Sequence, residues 1–84
     1  MASTPRFTTT AQSALHALSP DVLQRYWTEI QSIAADPYGK GRPLRGIEDP
    51  YDRVLSFGDG WIRYSVRPLE EPEVLITDLD WYTL

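Results

Sequence analysis

The sequence predicts an α+β fold in which an N-terminal helix hairpin packs on a small antiparallel β-sheet, with a short strand ahead of the helices. Three observations predict it. Apolar residues recur at helical spacing as far as Ala34, and from Ile47 onward the period changes to two. Between these halves lies Pro37-Tyr38-Gly39-Lys40-Gly41-Arg42-Pro43-Leu44-Arg45-Gly46, whose three glycines and two prolines exclude a regular element and make a hinge.

Taken in order, residues 1–6 are expected to fray, and Phe7-Thr8-Thr9 reads as the short strand. A first helix begins at Thr10, carries Ala11, Ala14, Leu15 and Leu18 on one face, and ends near Leu18. Ser19-Pro20-Asp21 restarts the helix: a capping Ser, a Pro where no N–H is needed, and an acid at the positive end of the dipole. The second helix shows a wide apolar stripe of Val22, Leu23, Tyr26, Trp27, Ile30, Ile33 and Ala34, with both aromatics expected in the core. It stops at Asp36, before Pro37. Tyr51 to Phe57 then alternates, Gly58-Asp59-Gly60 turns the chain, and Trp61 to Arg67 alternates again. Ile62, Tyr64 and Val66 fall on one face of that strand, and Trp61, Arg63, Ser65 and Arg67 on the other. An acidic turn over Pro68 to Pro72 leads to a third strand, Val74 to Asp80, and Trp81-Tyr82 closes the sheet as a staple.

Size and composition limit the function. Eighty-four residues, 42% of them hydrophobic and ten aromatic, make a single domain over 1–84 with one modest core. There is no Cys and only one His, His16, so thiolate chemistry is excluded, and neither a metal site nor a cofactor is expected. His16 reads as a surface or helix-packing residue. Gly39-x-Gly41 falls short of a phosphate-binding loop, and no nucleophile elbow is present. Apolar runs never exceed three residues and no secretory leader is legible, so a soluble, cytoplasmic protein without a membrane partner is expected.

The net charge of −4 argues against a surface that grips nucleic acid throughout. Residues 1–47 nevertheless carry five basic against three acidic residues, while 48–84 carry three against nine. Lys40, Arg42 and Arg45 form a basic cluster that is either a solvated loop or a binding element. Trp61, Arg63, Ser65 and Arg67 share the face that the helices leave open, which suits an anion or an acidic peptide as well as it suits ordinary solvated strand. A one-residue slip of register would move Arg53 and Leu55 to the other face.

From about Phe7 to Tyr82 the chain resembles the RelE/ParE superfamily of bacterial type II toxin–antitoxin toxins. The resemblance rests on the helix hairpin, the Asp36-Pro37 stop, and Pro43-Leu44-Arg45-Gly46 leading through Tyr51 into Arg53-Val54-Leu55. It continues through Gly60-Trp61-Ile62-Arg63-Tyr64-Ser65-Val66. It implies a compact toxin, wrapped by a cognate antitoxin, with its working surface on the concave sheet face. RelE-like members cut mRNA on the ribosome by attack of a ribose 2′-oxygen on the adjacent phosphate, and ParE-like members act on DNA gyrase.

Cleavage needs a proton acceptor, cations around the phosphorane and an acid for the leaving oxygen. Aligned without gaps, the family's basic positions fall on Asp52, Val54 and Trp61, none of which can supply a positive charge. Arg63, Tyr82 and a re-aimed Arg53 are then the candidate catalytic residues, with Lys40, Arg42, Arg45, Trp61, Arg67 and Trp81 as candidate binding residues. The reading that follows is a toxin that acts by binding a cellular target, DNA gyrase or the ribosome with its mRNA, and is neutralised by its antitoxin. A diverged ribosome-dependent endonuclease and a non-toxic interaction module on the same scaffold are the alternatives.

Overall fold

The computed structural model describes residues 4–46 and 49–81. Its elements are β1 (Arg6–Phe7), α1 (Thr9–His16), α2 (Pro20–Ala35), β2 (Arg42–Pro43), β3 (Asp52–Ser56), β4 (Gly60–Arg67) and β5 (Glu73–Trp81). The expected α+β architecture is present, but the sheet is larger than the three-stranded antiparallel meander read from the sequence. It has five strands in the order β1-β5-β4-β3-β2, and β1 runs parallel to β5. Arg6, expected to fray, instead pairs with Leu75 in that edge strand.

Local chemistry accounts for the helix boundaries. The Thr8 side chain accepts from the Ala11 N–H at 3.1 Å and caps α1, while its hydroxyl donates to the Thr77 carbonyl at 2.9 Å and ties the cap to β5. Ser19 occupies the N-cap position of α2 with Pro20 behind it, but its side chain makes no capping bond. The last turn closes through the Asp36 N–H to the Ser32 carbonyl.

The Gly- and Pro-rich hinge contains a strand after all. Arg42 pairs with Val54 and Pro43 with Arg53, and the Leu44 N–H donates to the Asp52 carbonyl. Pro43 fits because β2 is a sheet edge, where a missing N–H costs nothing. Gly41, at φ +64°, permits it: a Cβ there would press on the Val54 carbonyl and the Tyr64 hydroxyl.

The core lies between the helices and one sheet face. Ala11, Leu15, Leu18, Tyr26, Ile30 and Ile33 meet Ile62, Tyr64, Val66, Val74, Ile76 and Leu79. Burying each of the larger side chains contributes about 1.5–3 kcal/mol. Tyr26 is fully buried, and its hydroxyl donates to the Asp80 carbonyl at 2.7 Å. Trp27, expected beside it in the core, is 42% exposed and stacks on Phe7 at the rim. A helix rotates about 100° per residue, which carries Trp27 from the inward direction of Tyr26 round to the rim. Among the described residues no helix is long and apolar enough to cross a membrane.

Candidate functional site

Pairing register sorts every candidate residue onto one face or the other. Arg53 sits opposite Tyr64, Val54 opposite Arg63, and Arg63 opposite Asp78. Tyr64 is a core residue, so Arg53 also points to the helix side, and Trp61, Arg63, Ser65 and Arg67 line the open side as their spacing indicated. The β4–β5 ladder shifts register between Arg63 and Tyr64, leaving Thr77 as an extra residue on β5. Its hydroxyl donates to the Arg63 carbonyl at 3.1 Å. The bulge therefore acts at Arg63 and not at Arg53.

Arg53 is 6% exposed and holds the hinge in place. Its guanidinium donates to the carbonyls of Pro50 at 3.0 Å, Tyr38 at 3.1 Å and Gly41 at 3.4 Å, and to the Tyr64 hydroxyl at 3.3 Å. It also lies 5.8 Å from the centre of the Tyr38 ring, which meets Tyr51 edge-on. The Tyr64 hydroxyl proton in turn lies between the carbonyls of Pro37 at 2.7 Å and Lys40 at 2.6 Å. Burial raises the Tyr64 phenol pKa, against the pull of the Arg53 hydrogen bond and charge. Two buried side chains thus fix the segment from Pro37 to Gly41 and set the direction in which Lys40 and Arg42 leave it.

On the open face Arg63 meets Asp52. Its Nη2 is 3.0 Å from Asp52 Oδ2 and its Nε 3.4 Å from Oδ1. That hydrogen bond, with the Asp52 charge and a smaller contribution from Asp78, raises the Arg63 pKa. Arg45 approaches the same carboxylate at 3.8 Å. Asp52 therefore neutralises much of the positive charge at the centre of the face. Val54, between Arg42 and Arg63 in register, is buried.

The other candidates are dispersed. Lys40, Arg42 and Arg45 are all exposed along the β2 rim. Arg67 lies at the far end of β4, 3.8 Å from Glu73. Trp81 pairs with Gly60 and so leans to the helix side, where it borders a shallow depression with Ala17, Leu18, Ser19, Val22 and Asp59. It is 43% exposed and does not join Trp61. Tyr82 lies outside the described residues. The exposed His16 borders an apolar groove on the hairpin with Leu15, Pro20, Leu23, Gln24 and Trp27. No cluster of His or acidic residues among those described is arranged to hold a metal.

Sequence reasoning missed the scaffolding role of Arg53 and Tyr64. A signal was available: an Arg at a core-facing strand position opposite a Tyr calls for a nearby supply of carbonyl groups, and the Gly/Pro segment provides one.

A helix hairpin laid on one face of a five-stranded sheet is an α+β fold consistent with that of RelE-like toxins, and it bears out the resemblance read from the sequence. Among solved structures the chain is similar to a chain of the RelBE2 toxin–antitoxin complex from Mycobacterium tuberculosis. The TM-score is 0.79 and the identity 28%, covering 98% of this chain and 100% of that one. No family model matches the sequence, and no curated protein matches it.

Proposed function

We propose that this chain is the toxin component of a type II toxin–antitoxin pair that acts by binding a cellular target and is neutralised by a cognate antitoxin. The observation that carries this reading is a RelE-like fold whose central open-face arginine is already engaged: Arg63 is held by Asp52. In-line attack on a phosphodiester needs cations free to meet the phosphorane. Here Asp52 brings like charge, Val54 is buried and has no donor, and Arg53 is committed to four acceptors on the other side of the sheet. A protein target such as DNA gyrase fits that face better than ribosome-bound mRNA. The similar chain occurs in a toxin–antitoxin complex, which supports an antitoxin partner here, and the apolar groove beside Trp27 suits an amphipathic antitoxin segment.

The test is induction of this chain alone in a bacterial culture, with incorporation of labelled amino acid followed over the first minutes. Growth arrest with incorporation initially intact is the expected result. Immediate loss of incorporation that disappears in Arg63→Ala would replace the binding reading with the nuclease. Continued growth would leave the interaction module. Co-expression with the product of the neighbouring gene should relieve arrest and yield a stable complex.

A further inference from the structure

The open face has a charge pattern complementary to itself. At the β2 rim Lys40 and Arg42 are exposed and form no ion pair with any described residue. On β5, two strands past β3, Asp78 and Asp80 likewise form no ion pair with a described residue, and each carboxylate accepts the backbone N–H of the next residue. Cations thus line one side of the face and carboxylates the other.

Register places these groups in matched rows. One row across the sheet reads Arg42, Val54, Arg63, Asp78. The next reads Leu44, Asp52, Ser65, Leu75, in which both leucines are exposed, at 38% and 37%. A twofold axis parallel to the strands and lying over the β3–β4 pair exchanges β2 with β5 and β3 with β4, and keeps each row in place. It brings Arg42 over Asp78 of a second copy and Leu44 over Leu75 of that copy. Every contact then occurs twice, as an isologous interface requires. Face-to-face sheets pack about 10 Å apart with strands within about 30° of parallel, a gap and angle that Lys and Arg side chains can bridge.

We infer that the open sheet face is a homodimerisation surface that pairs with a second copy of this chain through reciprocal Arg42–Asp78 contacts beside a Leu44–Leu75 contact. Four strands by three rows bury about 400 Å² a side, below the roughly 1,000 Å² in total that a stable interface buries, so the dimer is weak and transient. Because the dimer covers Arg63 and Trp61, it competes with any target on that face. It does not depend on the proposed function: sedimentation reads the dimer and the growth assay reads the toxin, so either can fail alone.

The experiment is sedimentation equilibrium of the purified full chain from about 10 μM to about 1 mM, at low and high salt. The expected result is a monomer–dimer equilibrium weakened by salt. Arg42→Glu and Asp78→Arg each place two like-charge pairs in the interface and should weaken dimerisation by about 10-fold or more. Their equimolar mixture, and the double variant, should restore it, because each restores both opposite-charge pairs. Should circular dichroism show that Asp78→Arg disturbs β5, Leu44→Glu, which sets a charge against the exposed Leu75 of the second copy, should weaken the dimer by a similar factor. A wild-type chain that stays monomeric throughout overturns the inference. So does a dimer indifferent to the reversals, or one lost in each single variant but not regained on mixing. A monomer that binds polyglutamate through Arg42 would assign the rim to an acidic partner instead.

Discussion

Arg53 and Arg63 lie one row apart on neighbouring strands, yet they belong to different parts of the molecule. Arg53 faces the helices, is almost fully buried and satisfies three backbone carbonyls and a phenol. Arg63 faces outward and is held by a single carboxylate. The difference is one of parity: successive strand residues point to opposite faces, so an odd or even offset decides whether the same side chain supports the fold or presents a surface. Arg53 and Arg63 thus place their charge on opposite sides of the sheet, and each is already engaged by neighbouring groups.

The largest effect is expected at Arg53. Arg53→Met should lower stability by about 3 kcal/mol, because buried carbonyls and the Tyr64 hydroxyl lose their donor; chemical denaturation followed by Trp fluorescence measures it. Gly41→Ala should cost about 2 kcal/mol from the positive φ and the contact with Val54 and Tyr64, and it should loosen the β2 pairing seen in amide exchange.

Tyr64→Phe comes next, at about 1–2 kcal/mol. It also tests the electrostatics. Burial raises the phenol pKa above its ordinary 10.0, so the fold favours the protonated form. That contribution is complete below the unfolded value near pH 10 and is lost as pH rises through the folded one. The wild type should therefore lose stability above pH 10 more steeply than Tyr64→Phe in parallel melts.

On the open face the effects should fall on binding. Asp52→Asn frees Arg63 and Arg45 and should raise affinity for a polyanion such as heparin by about 3- to 10-fold at low salt. Arg63→Ala should leave the melting midpoint unresolved from wild type while reducing that gain in the double variant to the part that Arg45 supplies. A large stability loss in Arg63→Ala would mean that the open face is as structural as the buried one.

Much of this was legible in the residues. The Ser19-Pro20-Asp21 restart places α2 at Pro20, and the alternation from Trp61 to Arg67 assigns both faces of β4 correctly. Other features were not. The Gly/Pro segment hides β2, because edge pairing of Arg42–Pro43 depends on carbonyls that β3 presents in space and not on any local period. Parallel pairing of Arg6 with Leu75 joins residues far apart in sequence, which no periodicity records.

Local pattern in the residues accounts for the α+β class, the start of α2 at Pro20, the turn at Gly58-Asp59-Gly60 and the faces of the central strand, whereas α1 spans Thr9–His16 and not Thr10 to Leu18. The features that held follow from periods of 3.6 and 2 and from the fixed φ of proline, which act over a few residues. Long-range packing alone makes Arg53 brace the hinge, sets Asp52 against Arg63, leaves Trp27 and Trp81 at rims, and puts Arg42 and Asp78 in one row across the open face. Those outcomes depend on strand register and on the bulge at Thr77, which are set by packing between distant segments, where a shift of one residue exchanges what is buried for what is exposed.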